Sequence, residues 1–158
     1  MNAIELLTHT FETQQQYLAD ALADFSDAEL LVRSAPNANH AAWMLTHLIV
    51  HEVHMMKFAI KAPMPTLDQE LVCRAEAGSE KLDNPADFLK KDQLLALFAQ
   101  VRQASIASIK TLSESDLDKP TDIPSKVGQI LPMVTEHLLM HLGQIQAIRR
   151  KLNKPILF

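Results

Sequence analysis

At 158 residues the chain is long enough to fill one core and too short to argue for two, so a single domain over residues 1–158 is expected. Hydrophobic residues make up 47%, aromatics 5%, and there are only 3 glycines, which argues against a sheet protein and for an all-α one. The formal charge of −4, with both signs interspersed, supplies no basic patch to neutralise phosphates, so nucleic acid is not an expected partner.

The single Cys73 has no intramolecular disulfide partner, and the opening MNAIELLTHTFE carries acids where a secretion signal would carry basic residues and an apolar run. A reducing cytoplasm is the expected location. A membrane span needs about 18 uninterrupted apolar residues. The most apolar stretch, residues 41 to 60, contains His47, His51, Glu52, His54 and Lys57, so no span is expected.

The first helix is read over residues 3 to about 25, with Ile4, Leu7, Phe11, Leu18, Leu22 and Phe25 close to a 3.6-residue period and Asn2 as its cap. Gln14 and Gln15 interrupt the stripe and read as solvent or helix–helix contacts. Residues 26–39 form a connection with one short turn at 27–31. A second helix, capped by Asn39, runs from His40 to about Lys61, where Pro63 and Pro65 stop it. One of its faces reads Trp43, His47, His51, His54, Phe58, which places histidines between aromatics and points that face at the core.

Residues 62–90 are punctuated by Pro63, Pro65, Gly78, Asn84 and Pro85 and hold at most a short helix, 68–77, carrying Cys73. A connection this long can cross the end of a bundle, so helices two and three need not be antiparallel neighbours. The third helix starts at about Pro85 or Lys91 and reaches Leu112; 113–124 is a second loop. Ser125 caps a fourth helix that runs to about Leu152, with Pro132 either kinking it or moving its start later. Ile130, Val134, His137, Leu138, His141, Ile145, Ile148 and Leu152 form its apolar stripe, while Gln144, Gln146, Arg149 and Arg150 point outward. A short tail, 153–158, follows.

His137 and His141 therefore share one core-facing helix face, and side chains at that spacing lie about 5–6 Å apart at Cβ. His47, His51 and His54 form a second core-facing set, and the two sets can meet in a bundle. Neutral imidazole is the commonest transition-metal ligand, and three histidines leave coordination positions open for chemistry. His9 and His40, near the ends of elements, read as solvated. Glu52 and Glu136 adjoin the histidines in sequence, but neighbours one apart on a helix face elsewhere, so neither reads as a general base. Cys73 reads as a small hydrophobe with no histidine partner.

Two pieces of the chain carry a family resemblance: Trp43-Met-Leu-Thr-His47, and His137-Leu-Leu-Met-His141-Leu-Gly143-Gln144-Ile145 followed by Arg149-Arg150. In these, and in the order of elements along essentially the whole chain, the sequence resembles the DinB-like (YfiT-like) family of metal-binding four-helix bundles. The resemblance implies an up-down-down-up bundle with a long connection between helices two and three, metal ligands at His47, His137 and His141, and one divalent metal such as zinc or nickel. It further implies a homodimer in many cases, and hydrolase or low-molecular-weight-thiol transferase chemistry on a small-molecule substrate. His51 or His54, on the same face as His47, is a candidate donor behind a ligand ring, a fourth ligand or a proton shuttle, or else a hydrogen-bonded pocket histidine, with His51 favoured because it is one turn from His47; catalytic residues are not identified. The alternative expectation is a non-catalytic helical interaction module in which the metal or the histidine cluster is structural.

Overall fold

The computed structural model describes residues 1–157; Phe158, the last residue of the expected tail, lies outside the described residues. Helix α1 spans Ala3–Leu22 and opens with a reciprocal capping box, Asn2 Oδ1 accepting from the Glu5 N–H at 2.8 Å and Glu5 Oε2 accepting from the Asn2 N–H at 3.0 Å. It ends three residues earlier than the apolar period suggests. Phe25 is still buried, but carbonyls at this end are taken from outside the helix. Arg149 donates to Ala21 O at 2.7 Å and Lys154 to Asp24 O at 2.6 Å.

Helix α2, Ala41–Ile60, is capped by His40 and not by Asn39. His40 is fully buried, against the expectation that it is solvated. Its Nδ1 accepts the Trp43 N–H at 3.1 Å while its Nε2 donates to Leu82 O at 2.8 Å. A ring held from both sides can cap, and Asn39 lies one residue ahead of the cap position. Burial, foremost, holds the His40 pKa below its ordinary value, so the ring stays neutral and keeps its acceptor. The helix stops where expected, with Lys61 left-handed ahead of the prolines.

The connection over 61–90 contains the short helix α3, Gln69–Cys73, capped by Asp68, and single 3-10 turns at Ser79–Lys81 and Pro85–Asp87. Pro85 therefore begins a turn of its own, and α4 runs Lys91–Ile109. Helix α5, Val127–Lys151, starts after Lys126, whose N–H donates to Gln129 Oε1 at 2.8 Å. Ser125 is not its cap, because a tight turn holds it away: Thr121 N–H donates to Ser125 O at 2.9 Å. Pro132 lies inside α5 without moving its start. Gly128 admits the 3-10 turn Glu114–Asp118, since a Cβ there would come within 3.1 Å of Leu117 Cβ and Leu117 O.

Arg149 near the end of α5 meets Asp24 just past α1, so these helices are parallel. Ala3 N–H at the start of α1 donates to Glu114 beyond α4, and Lys91 N–H at the start of α4 donates to Asp27 beyond α1, which makes that pair antiparallel. Lys61 at the end of α2 reaches Asp122 ahead of α5, so α2 and α5 are antiparallel. The order is up-down-down-up, as expected. Each of α1 and α2 packs on both α4 and α5, leaving α1 and α2 on opposite corners. No strand occurs among the described residues, and no helix among them is long and apolar enough to cross a membrane.

The apolar core encloses an ion pair, besides single buried polar side chains such as Gln14, His40 and His141. Arg102 Nη2 lies 2.8 Å from Glu52 Oε2, and Ser105 Oγ donates to Glu52 Oε1 at 2.7 Å. Arg102 also lies over the rings of Phe11 and Phe98. Burial pushes the Glu52 carboxyl up, against the pull of Arg102, while the guanidinium stays charged. Gln14 is buried, and Gln15 meets Gln103 across the α1–α4 contact at 3.3 Å.

Candidate metal centre

Antiparallel packing of α2 on α5 sets His47 opposite His141 and His51 opposite His137. The ligand atoms of His47, His137 and His141 all lie within 4.8 Å of one another. His137 Nε2 is central: it lies 3.2 Å from His47 Nε2 and 3.0 Å from His141 Nε2. His141 is buried, whereas His47 and His137 are half-buried, so one side of the cluster faces outward.

The opposite edge of each ring is held. His47 Nδ1 lies 3.3 Å from Ala75 O, and His141 Nδ1 lies 2.8 Å from Gln144 Oε1. Both partners only accept, so both Nδ1 atoms carry their proton and both Nε2 atoms are bare lone pairs aimed at His137. A proton on His137 Nε2 can serve one of them; the other faces unshared density. A group of converging nitrogen lone pairs in a half-buried setting is a donor set suited to a divalent transition ion, and the residues fit one. Trp43 stacks on His47 with centroids 4.8 Å apart and an interplanar angle of 9°, and its Nε1–H donates to Ser79 Oγ at 2.9 Å.

Burial, followed by the repulsion of His51, His141 and His47, holds the His137 pKa at about 3. For His51 burial, then His47, His54 and His141, gives about 4. Burial also lowers His141, partly offset by its bond to Gln144. At neutral pH these rings are neutral, the state a metal requires.

His51 joins the cluster through His137, Nδ1 to Nδ1 at 3.1 Å. His54 does not join it: the face that begins buried at Trp43 has turned to solvent by His54, which acts on His51 only through charge. Glu52 points away to Arg102, and Glu136 is exposed. Cys73 is exposed and touches Gln69. Two supports escape the sequence reading. Gln144 is exposed, as read, and its Oε1 turns back to His141 at the helical i+3 spacing, which the sequence displays; Gln146 and Arg149, also read as outward, are buried. Ala75 contributes only its carbonyl, which no residue pattern reveals.

Fold and cluster together define a helical bundle carrying a tri-histidine group between its second and last long helices. A family model described as the DinB superfamily matches residues 10–145, and the chain belongs to that superfamily. Among solved structures it is similar to a conserved protein from Enterococcus faecalis, with 14% identity, a TM-score of 0.70, and coverage of 98% of this chain and 99% of that one. A DinB-like protein from Bacillus cereus gives 13% identity, a TM-score of 0.71, and coverage of 98% and 93%. At these identities the likeness is one of fold. A comparison with curated proteins gives no match.

Proposed function

We propose that the chain is a metal-dependent enzyme of hydrolase or low-molecular-weight-thiol transferase type, binding one zinc or nickel ion through Nε2 of His47, His137 and His141. The observation that carries this reading is the convergence of the three nitrogens while outer acceptors hold two of the rings by Nδ1. A bound ion supplies Lewis acidity, lowering the pKa of a water or thiol or polarising a carbonyl. Trp43 fixes the plane of His47 and covers that flank, Ala75 and Gln144 orient their rings, and the half-exposed edges of His47 and His137 form the approach for a small substrate. Protein purified without a histidine tag should contain close to one equivalent of divalent metal by mass spectrometry, and His47→Ala or His141→Ala should lose it. A wild type that loads no divalent ion in non-chelating buffer sinks the reading.

A second reading is favoured by one observation: the cluster joins α2, α5 and, through Ala75, the connection over 61–90, so an ion there also staples three segments. Full unfolding on chelation would assign the metal a structural role, because its binding energy would then be folding energy. Retained helicity together with turnover of an ester, amide or thiol-transfer substrate supports the enzyme.

The single cysteine suits a reducing cytoplasm, which is part of the same proposal. So is a homodimer. The apolar residues of α2 are mostly used inside the bundle, and support comes from Met133, Leu139 and Met140, which are 47%, 46% and 53% exposed on α5. A monomeric mass by light scattering at micromolar concentration would contradict it.

A further inference from the structure

His47 and His141 rest on oxygens that can only accept. His137 rests on another imidazole, whose nitrogen either donates or accepts. The two Nδ1 atoms are 3.1 Å apart, and the rings meet at a 4.2 Å centroid separation and 62°. His51 is outside the group of three whose ligand atoms lie within 4.8 Å, so it touches the site through His137.

We propose that His51 is a positioning residue for His137. It accepts the His137 Nδ1–H at an unprotonated Nδ1 and carries its own proton on Nε2. The inference rests on the metal reading above. In the opposite tautomer His51 donates from Nδ1, His137 accepts there, and the proton of His137 moves to Nε2, directly between His47 and His141. That proton occupies the lone pair a metal needs. The tautomer of His51 thus decides whether His137 presents a ligand or an N–H, and in the proposed one each of the three ligands has an outer acceptor for its Nδ1–H: Ala75 O, Gln144 Oε1 and His51 Nδ1.

Zinc affinity is measured on the full untagged chain by competition with a chelating dye. His51→Leu, which removes the acceptor, should weaken binding by about 10–100-fold. His51→Asn, whose amide oxygen can take the place of Nδ1, should restore most of it. In the zinc-loaded wild type, long-range 1H–15N correlation should find the side-chain proton of His137 on Nδ1, a readout that needs no variant to fold. A His51→Leu affinity equal to wild type, or a His137 proton on Nε2, overturns the assignment. Wild type that binds no zinc overturns both this and the metal reading. Wild type that binds, with His47→Ala that does not and His51→Leu unchanged, overturns the His51 role alone.

Discussion

Glu52 is one residue from His51 and belongs to a different function, because one step along a helix rotates a side chain by about 100°. Its carboxylate, fully enclosed with Arg102 and Ser105, ties α2 to α4. Removing one partner of a buried pair strands the other charge, so Glu52→Ala should lower the unfolding free energy by about 3–5 kcal/mol in urea titration. Replacing both partners by apolar residues, Glu52→Leu with Arg102→Met, should recover much of that loss. A Glu52→Ala variant as stable as wild type would show that the pair contributes little. Because Glu52 faces away from the cluster, metal stoichiometry should be the same in any variant that folds.

The connection over 61–90 matters more to the site than its weak sequence pattern suggests. It supplies Ala75 O to His47 and Ser79 Oγ to Trp43. Arg33, in the connection between α1 and α2, pins it: the guanidinium donates to Glu80 O at 2.8 Å and Leu82 O at 3.3 Å and pairs with Asp83 at 2.6 Å. His40 adds the bond to Leu82 O. Arg33→Ala should therefore loosen this strap while the bundle stays helical. Limited trypsin digestion should cut faster at Arg74 and Lys81, with an unchanged far-ultraviolet dichroism spectrum. Cleavage at the wild-type rate would mean that α3 and the 3-10 turns hold themselves.

For the whole molecule, protons oppose the fold in two ranges. His40, His51, His137 and His141 all have pKa values below that of a free imidazole, burial being the first cause in each. Below about pH 6.5 the unfolded chain binds protons that the folded chain does not, so stability present above that pH is lost as pH falls, through about 4 for His51 and about 3 for His137. Asp24, held low by Arg149, Glu29, held low by the Ser26 N–H, and Asp116, held low by Lys119, add a loss that begins below about pH 4. The melting temperature of metal-free protein should fall from pH 7 to pH 5 and more steeply below 4. A flat profile between 7 and 5 would mean that the histidines titrate as free imidazoles.

Local periodicity determined the four long helices, the prolines that end α2 and the core-facing side of His137 and His141, because a 3.6-residue repeat of apolar groups has one buried face whatever the partner. The family resemblance added the grouping of His47 with that pair, and the superfamily match agrees with the resemblance. Chain ends and supports were decided by tertiary structure. Asn39 and Ser125 have cap chemistry, but His40, buried under Leu82, and the turn at Thr121 override them. Where α1 ends at Leu22, Arg149 and Lys154, more than a hundred residues away, satisfy the carbonyls of Ala21 and Asp24. His54 shares a face with His47 on a helical wheel, yet it is exposed. The outer bonds of the cluster come from a backbone carbonyl, an exposed glutamine that folds back along α5 and a second imidazole. The Gln144 contact has a helical i+3 spacing within α5, whereas the Ala75 carbonyl and the His51–His137 contact exist only once α2, α5 and the connection are packed together.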